Sequence, residues 1–115
     1  MKSLIKLQKD TFFKGVYSGF GDLELYGTFE GVLKIDTIYI KRSGIFFGKL
    51  AAKTVVVEGK ISADIEAEHL HLKSTGIIDG DLIYKDLIID SGGLLNSSRI
   101  HNISNNAILK FNYSN

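Results

Sequence analysis

Gly44-Ile45-Phe46-Phe47-Gly48-Lys49-Leu50-Ala51-Ala52-Lys53-Thr54-Val55-Val56-Val57-Glu58-Gly59 opens and closes on a glycine. Apolar residues stand two (Phe46), six (Leu50), eleven (Val55) and thirteen (Val57) places after the first one. The same frame recurs on both sides. Gly27 is followed at those steps by Phe29, Leu33, Ile38 and Ile40; Gly59 by Ile61, Ile65, Leu70 and Leu72; Gly76 by Ile78, Leu82, Leu87 and Ile89. Within Gly59-Lys60-Ile61-Ser62-Ala63-Asp64-Ile65-Glu66-Ala67, apolar and polar residues alternate. A period of two places one set of side chains on one face, which predicts half-buried strands.

The leading glycines, Gly15, Gly27, Gly44, Gly59, Gly76 and Gly93, are separated by 12, 17, 15, 17 and 17 residues. A second small residue follows each after four places: Gly19, Gly31, Gly48, Ala63, Gly80 and Ser97. Periods near 17 are too short for a pair of helices and fit one turn of a β-solenoid. Each coil is expected to hold two or three short strands with glycine at the corners, where positive φ or close packing is needed. Tyr17 is assigned to the column of Phe29 and Phe46, two places after its glycine. Six coils about 4.8 Å apart make a rod on the order of 30 Å long. No helical stripe is legible.

Two of these coils, Gly44–Gly59 and Gly76-Ile77-Ile78-Asp79-Gly80-Asp81-Leu82-Ile83-Tyr84-Lys85-Asp86-Leu87-Ile88-Ile89-Asp90, resemble the coil of bactofilins, over roughly residues 14–100. The resemblance implies an all-β fold: a single-stranded, right-handed parallel β-helix of about six short coils with a triangular cross-section. It also implies a bacterial cytoskeletal protein that assembles end to end, without nucleotide, into nonpolar filaments. Such filaments act as scaffolds in cell shape or cell-wall organisation. Their partners include peptidoglycan-modifying enzymes and membrane proteins, and several members touch membranes through an N-terminal segment. The chain departs from the family in having no proline-rich tail. Handedness follows from the resemblance alone, because both senses of coil satisfy the spacing.

The composition sets bounds on function. A net charge of +1 gives no global reason to expect nucleic acid. The absence of cysteine excludes thiolate metal sites and cysteine nucleophiles and agrees with a reducing cytoplasm. No cofactor is expected, and no P-loop or other phosphate-cradling motif occurs. The first ten residues lack the continuous apolar core of a secretory signal, since Lys6 and Lys9 break it. The chain is expected to be cytoplasmic, in contact with the inner face of the cell membrane if its N-terminal segment binds lipid. Charge is uneven: residues 1–57 carry +4, residues 58–90 carry −5 and residues 91–115 carry +2.

The chain divides, as read, into a basic N-terminal arm (1–13), a coil core (14–111) and a short tail (112–115). In the arm, Lys2, Leu4, Ile5, Lys6, Leu7 and Lys9 interleave bases with apolar residues, a composition suited to an anionic membrane surface. Nine of the twelve aromatic residues fall within residues 1–47 and two, Phe111 and Tyr113, near the other terminus. A solenoid exposes strand edges at its ends. Phe12, Phe13, Tyr17 and Phe20 at one end, and Ile108, Phe111 and Tyr113 at the other, are therefore the expected polymerisation contacts. The alternative is a small β-helical enzyme or metal-binding domain. It would use His69 and His71, which share one strand face, with His101, or the acidic residues Asp64, Glu66, Glu68, Asp79, Asp81, Asp86 and Asp90. Against it, no carboxylate stands at ligand spacing from the histidines in sequence, and the coils carry almost no insertions from which to build a pocket.

Overall fold

A computed structural model describes residues 4–97, 99–102 and 108–112. All the strands pair in parallel, and the described residues contain no helix. The chain winds through about six turns. A partial first turn, β1 (Leu4–Leu7), is followed by β2 (Phe12–Ser18) and β3 (Asp22–Leu25), then by the long bent strands β4 (Thr28–Ile40), β5 (Ile45–Val57) and β6 (Lys60–Leu72). The later turns comprise β7 (Ile77–Asp79) with β8 (Leu82–Asp90), and then β9 (Leu94–Asn96), β10 (Ile100–Asn102) and β11 (Ile108–Asn112).

Each full coil has three sides, and the phase of burial shows where it turns. In β5, Phe46, Leu50, Val55 and Val57 are buried, so the alternation runs through Leu50 and then slips by one residue before Val55. The slip falls at Lys53, which has no partner in the ladder between β4 and β5, whereas Ala52 and Thr54 on either side of it do. A second corner lies at Gly48, which stands in the inward phase with φ +126°. A Cβ there would land on the carbonyl oxygen of Gly31 in the preceding coil. Only glycine combines that backbone conformation with that approach. The third corner is a turn that returns the chain one level up, with Gly44 N–H donating to Lys41 O at 2.8 Å.

Equivalent residues stack in register. Phe13, Phe29, Phe46, Ile61, Ile78 and Leu95 form one inward column. Tyr17, Leu33, Leu50, Ile65, Leu82 and Ile100 form the next. Two further columns run from Ile5 and Leu7 through Leu23 and Leu25 to Leu87 and Ile89. The buried side chains are all apolar, with no polar or charged residue buried among the described ones. At 34 × 30 × 30 Å the molecule is nearly as wide as it is long, a stub rather than a rod.

Three expectations change. Gly15 pairs with Gly31, not with Gly27, so the first coil is displaced by four residues from the frame read in the sequence. Tyr17 therefore lies beside Leu33, and Phe13 takes the place beside Phe29. The error has a definite source: Thr11 occupies the leading position, with its carbonyl accepting from Thr28 N–H at 2.8 Å, and Gly15 is the small residue four places on. Secondly, the coil is not broken into short strands throughout: β4, β5 and β6 pair through their corners over 13 residues each. Thirdly, the boundary after residue 13 is not where the fold begins. Leu4–Leu7 pair with Asp22–Leu25 and extend two core columns.

Candidate polymer interface

The inward columns fill the core only where a coil lies on both sides. At the N-terminal end the columns stop at Ile5, Leu7, Phe13 and Tyr17, which are partly buried and packed against the core on one side only. Phe13 stacks on Phe29 with ring centroids 4.8 Å apart, and Phe29 stacks on Phe46 at 5.1 Å. Offset stacking of this kind adds to apolar burial. The aromatic ladder ends at Phe13, with no further ring described beyond it.

Strand edges end in the same plane. β1 pairs only with β3, and β2 only with β4, so each keeps one edge without a described partner. Natural proteins often protect such edges with lysine. Here Lys6 lies 3.8 Å from Glu24, and Lys14 lies 3.4 Å from Glu30, both in the following coil. Those carboxylates offset the repulsion the lysines would otherwise offer to an incoming strand.

The other end is built alike. Ile100 continues the column of Leu82, which is 1 % exposed, yet Ile100 is 50 % exposed because no described coil covers it. Leu95 is partly buried against the core. β11 pairs with β8, which sets Ile108 opposite Asp86 and Phe111 opposite Ile89 in register. Tyr113 lies outside the described residues, as does Lys2.

The residues expected at the N-terminal joint thus separate. Phe13 and Tyr17 stand at the end of the core. Phe12, 63 % exposed, and Phe20, 87 % exposed, point sideways from the first coil. Ile5 and Leu7, grouped by sequence with the membrane-facing arm, belong with Phe13 and Tyr17 at the end of the core. Register with Leu23 and Leu25 reveals this, whereas a short apolar pair between lysines does not. Leu4, Lys6 and Lys9 remain exposed on the outside.

The histidines and acids do not assemble into one site. His69 Nδ1 lies 2.6 Å from Asp86 Oδ2, and His71 Nε2 lies 3.0 Å from Asp90 Oδ1. Carboxylates therefore do stand beside both histidines, one coil on, a proximity that sequence spacing hides. Each is a separate pair, and among the described residues no group of three or more such side chains is disposed to hold a metal. His101 lies on another side of the coil, opposite Ile83. The acids scatter too. Glu68 reaches Lys85 at 3.4 Å, Asp79 lies opposite Ser62 on the first side, and Asp64 and Glu66 lie on the second. Hydrogen bonds between coils already occupy the strand amides around the histidines.

One family model, described as bactofilin, polymer-forming cytoskeletal, matches residues 5–99. No curated protein and no solved structure matches the chain.

Proposed function

Since the chain belongs to the bactofilin family of polymer-forming cytoskeletal proteins, we propose that it is the subunit of a nonpolar, nucleotide-independent filament joined through its two end coils. The observation that carries this is the unfinished core. Two apolar columns end in Phe13 and Tyr17 at one terminus, and one ends half exposed in Ile100 at the other, beside strand edges without described partners. A second subunit would continue both the columns and the ladders, extending the packing that joins coil to coil within the chain.

In a nonpolar filament like ends meet, so each joint type repeats its own substitution on both partners. The expected contacts are Phe13 and Tyr17 at the N-terminal joint, and Ile108, Phe111 and Tyr113 at the C-terminal one, with Phe12 and Phe20 at the rim of the first. Phe111→Arg should leave soluble dimers joined through N-terminal coils, and Tyr17→Arg dimers joined through C-terminal coils, both with unchanged β circular dichroism. Loss of a central aromatic contact of this kind costs about 2 kcal/mol or more. Long filaments of both variants in light scattering would disprove the end joints.

The filament would serve as a cytoplasmic scaffold in cell shape or cell-wall organisation, recruiting peptidoglycan-modifying enzymes or membrane proteins. A second contact is favoured by the outside of the first coil. Leu4, Phe12, Val16 and Phe20 are exposed there, with Lys6, Lys9 and Lys14 close by in sequence. An apolar rim among bases suits the headgroup region of an anionic membrane. No helix among the described residues is long and apolar enough to cross a membrane, so such a contact would be peripheral.

A further inference from the structure

The N-terminal end carries two cations on strands whose outer edge is open. Lys6 stands on β1 and Lys14 on β2, and among the described residues each strand is paired along one edge only. An ammonium beside such an edge deters an incoming strand, because docking would strip its water. Each of the two is matched by a carboxylate one coil further in. Lys6 Nζ lies 3.8 Å from Glu24 Oε1, and that oxygen also accepts from the Tyr26 hydroxyl at 3.1 Å. Lys14 Nζ lies 3.4 Å from Glu30 Oε2. Register makes both pairs, since Lys6 stands opposite Glu24 and Lys14 opposite Glu30 in the strand ladders. The other charged residues described at this end do not enter these pairs. Lys9 and Asp10 lie exposed in the turn closed by Thr11 N–H on Gln8 O, and Asp22, opposite Leu4, keeps one carboxylate oxygen without a hydrogen bond.

We propose that Glu24 and Glu30 are the residues that permit the N-terminal joint. Both stand on strands one coil behind the open edges, β3 and β4, so pairing draws the two ammoniums toward the body of the molecule and away from an incoming subunit. They are positioning residues, acting through the lysines. A joint between like ends enlarges the effect. Each end brings Lys6 and Lys14, so four ammoniums line one joint, around a centre made apolar by Phe13 and Tyr17. With their carboxylates these groups are close to neutral; without them the two ends repel. A head-to-tail joint would give the lysines no relief, since residues 91–115 hold Arg99 and Lys110 and no acid.

The pairs themselves do little for folding. The side chains of Lys6 and Glu24 are 49 % and 21 % exposed, and those of Lys14 and Glu30 are 74 % and 43 % exposed. Ion pairs at such sites add little to stability. Neutralising the glutamates therefore leaves the coils intact and changes what the open edges present to a second subunit. This role rests on the end joints proposed above, and its readout is separate. A joint lost for want of apolar contact stays lost at any salt concentration, whereas a joint lost to bared lysines returns when salt screens them.

The test uses the full-length chain carrying Glu24→Gln and Glu30→Gln together, which removes both charges and keeps the side-chain shape. At ~50 mM salt its mean filament length, read by electron microscopy and light scattering, should fall severalfold, toward dimers joined through C-terminal coils. Its circular dichroism and melting temperature should match the wild type. Glu30→Gln alone, at the more exposed pair, should shorten filaments in the same direction by less. Raising salt to ~500 mM should return long filaments of the double variant. Adding Lys6→Gln and Lys14→Gln to it should return them at low salt, because the guarding cations go with their partners. Glu58→Gln, which breaks the 3.7 Å Lys41–Glu58 pair between interior coils, should polymerise normally. Long filaments of the double variant at low salt, or a quadruple variant that stays short, would overturn the assignment. A wild-type chain that forms no filaments would sink the end joints themselves, and this role with them.

Discussion

At the scale of single residues, the corner glycines control how closely coils approach. Gly31, Gly48 and Gly80 have φ of +140°, +126° and +134°, and a Cβ on any of them would collide with backbone of the coil before. Backbone cannot swing aside as a side chain can. Ala63 occupies the same column without a positive φ, so the coil of β6 turns this corner with a different backbone conformation. Gly48→Ala should therefore cost at least about 1–3 kcal/mol through strain alone, with the collision adding to it. Ala63→Gly should cost no more than about 1 kcal/mol through chain entropy. Chemical denaturation of the two variants measures the difference; equal losses would show that the column, rather than the conformation, sets the penalty.

At the scale of elements, β1 functions as part of the coil stack. It covers β3, whose Leu23 and Leu25 are 3 % and 0 % exposed, and its Leu7 carbonyl accepts from Tyr26 N–H at 2.8 Å. Read from sequence alone, residues 2–9 match no column, and their removal is expected to be harmless. The pairing reverses that expectation. Deleting residues 2–9 should uncover both leucines and lower the melting temperature, at a cost on the order of 2–4 kcal/mol from apolar exposure. A deletion variant that melts like the full chain would show that β1 adds nothing to the stack. By contrast, the mid-chain elements behave as their spacing predicts: Leu70 and Leu82, 2 % and 1 % exposed, stand deep in their columns.

At the scale of the whole molecule, the proposed function rests on where the repeat stops. Interior coils are covered on both sides, so the chain's strand edges without described partners and its half-covered aromatics gather at its ends. The first coil adds an exposed apolar rim at the end where a filament joint is proposed. Replacing Phe12 and Phe20 by serine should weaken sedimentation of the protein with anionic vesicles, and raised salt should do the same by screening the lysines. Filament length should be unaffected if those two residues lie only at the rim. Unchanged sedimentation of the double variant would remove the membrane contact.

What the sequence determined by itself was the coil. Columns such as Leu33-Leu50-Ile65-Leu82 and Ile38-Val55-Leu70-Leu87 are fixed by a period of 17 or 15 together with alternation, both local properties that survive in one dimension. The tertiary structure decided the first coil, where Gly15–Gly19 and Thr11–Gly15 fit the small-residue spacing equally well until Phe13 stacks on Phe29. It decided the place of Ile5 and Leu7, because a four-residue strand carries too little pattern to be distinguished from an arm. It also decided the partners of His69 and His71. In a solenoid a residue's closest neighbours lie one coil away, about 17 residues along the chain, so alternation along a strand tells which face a side chain takes and only stacking tells what it meets there.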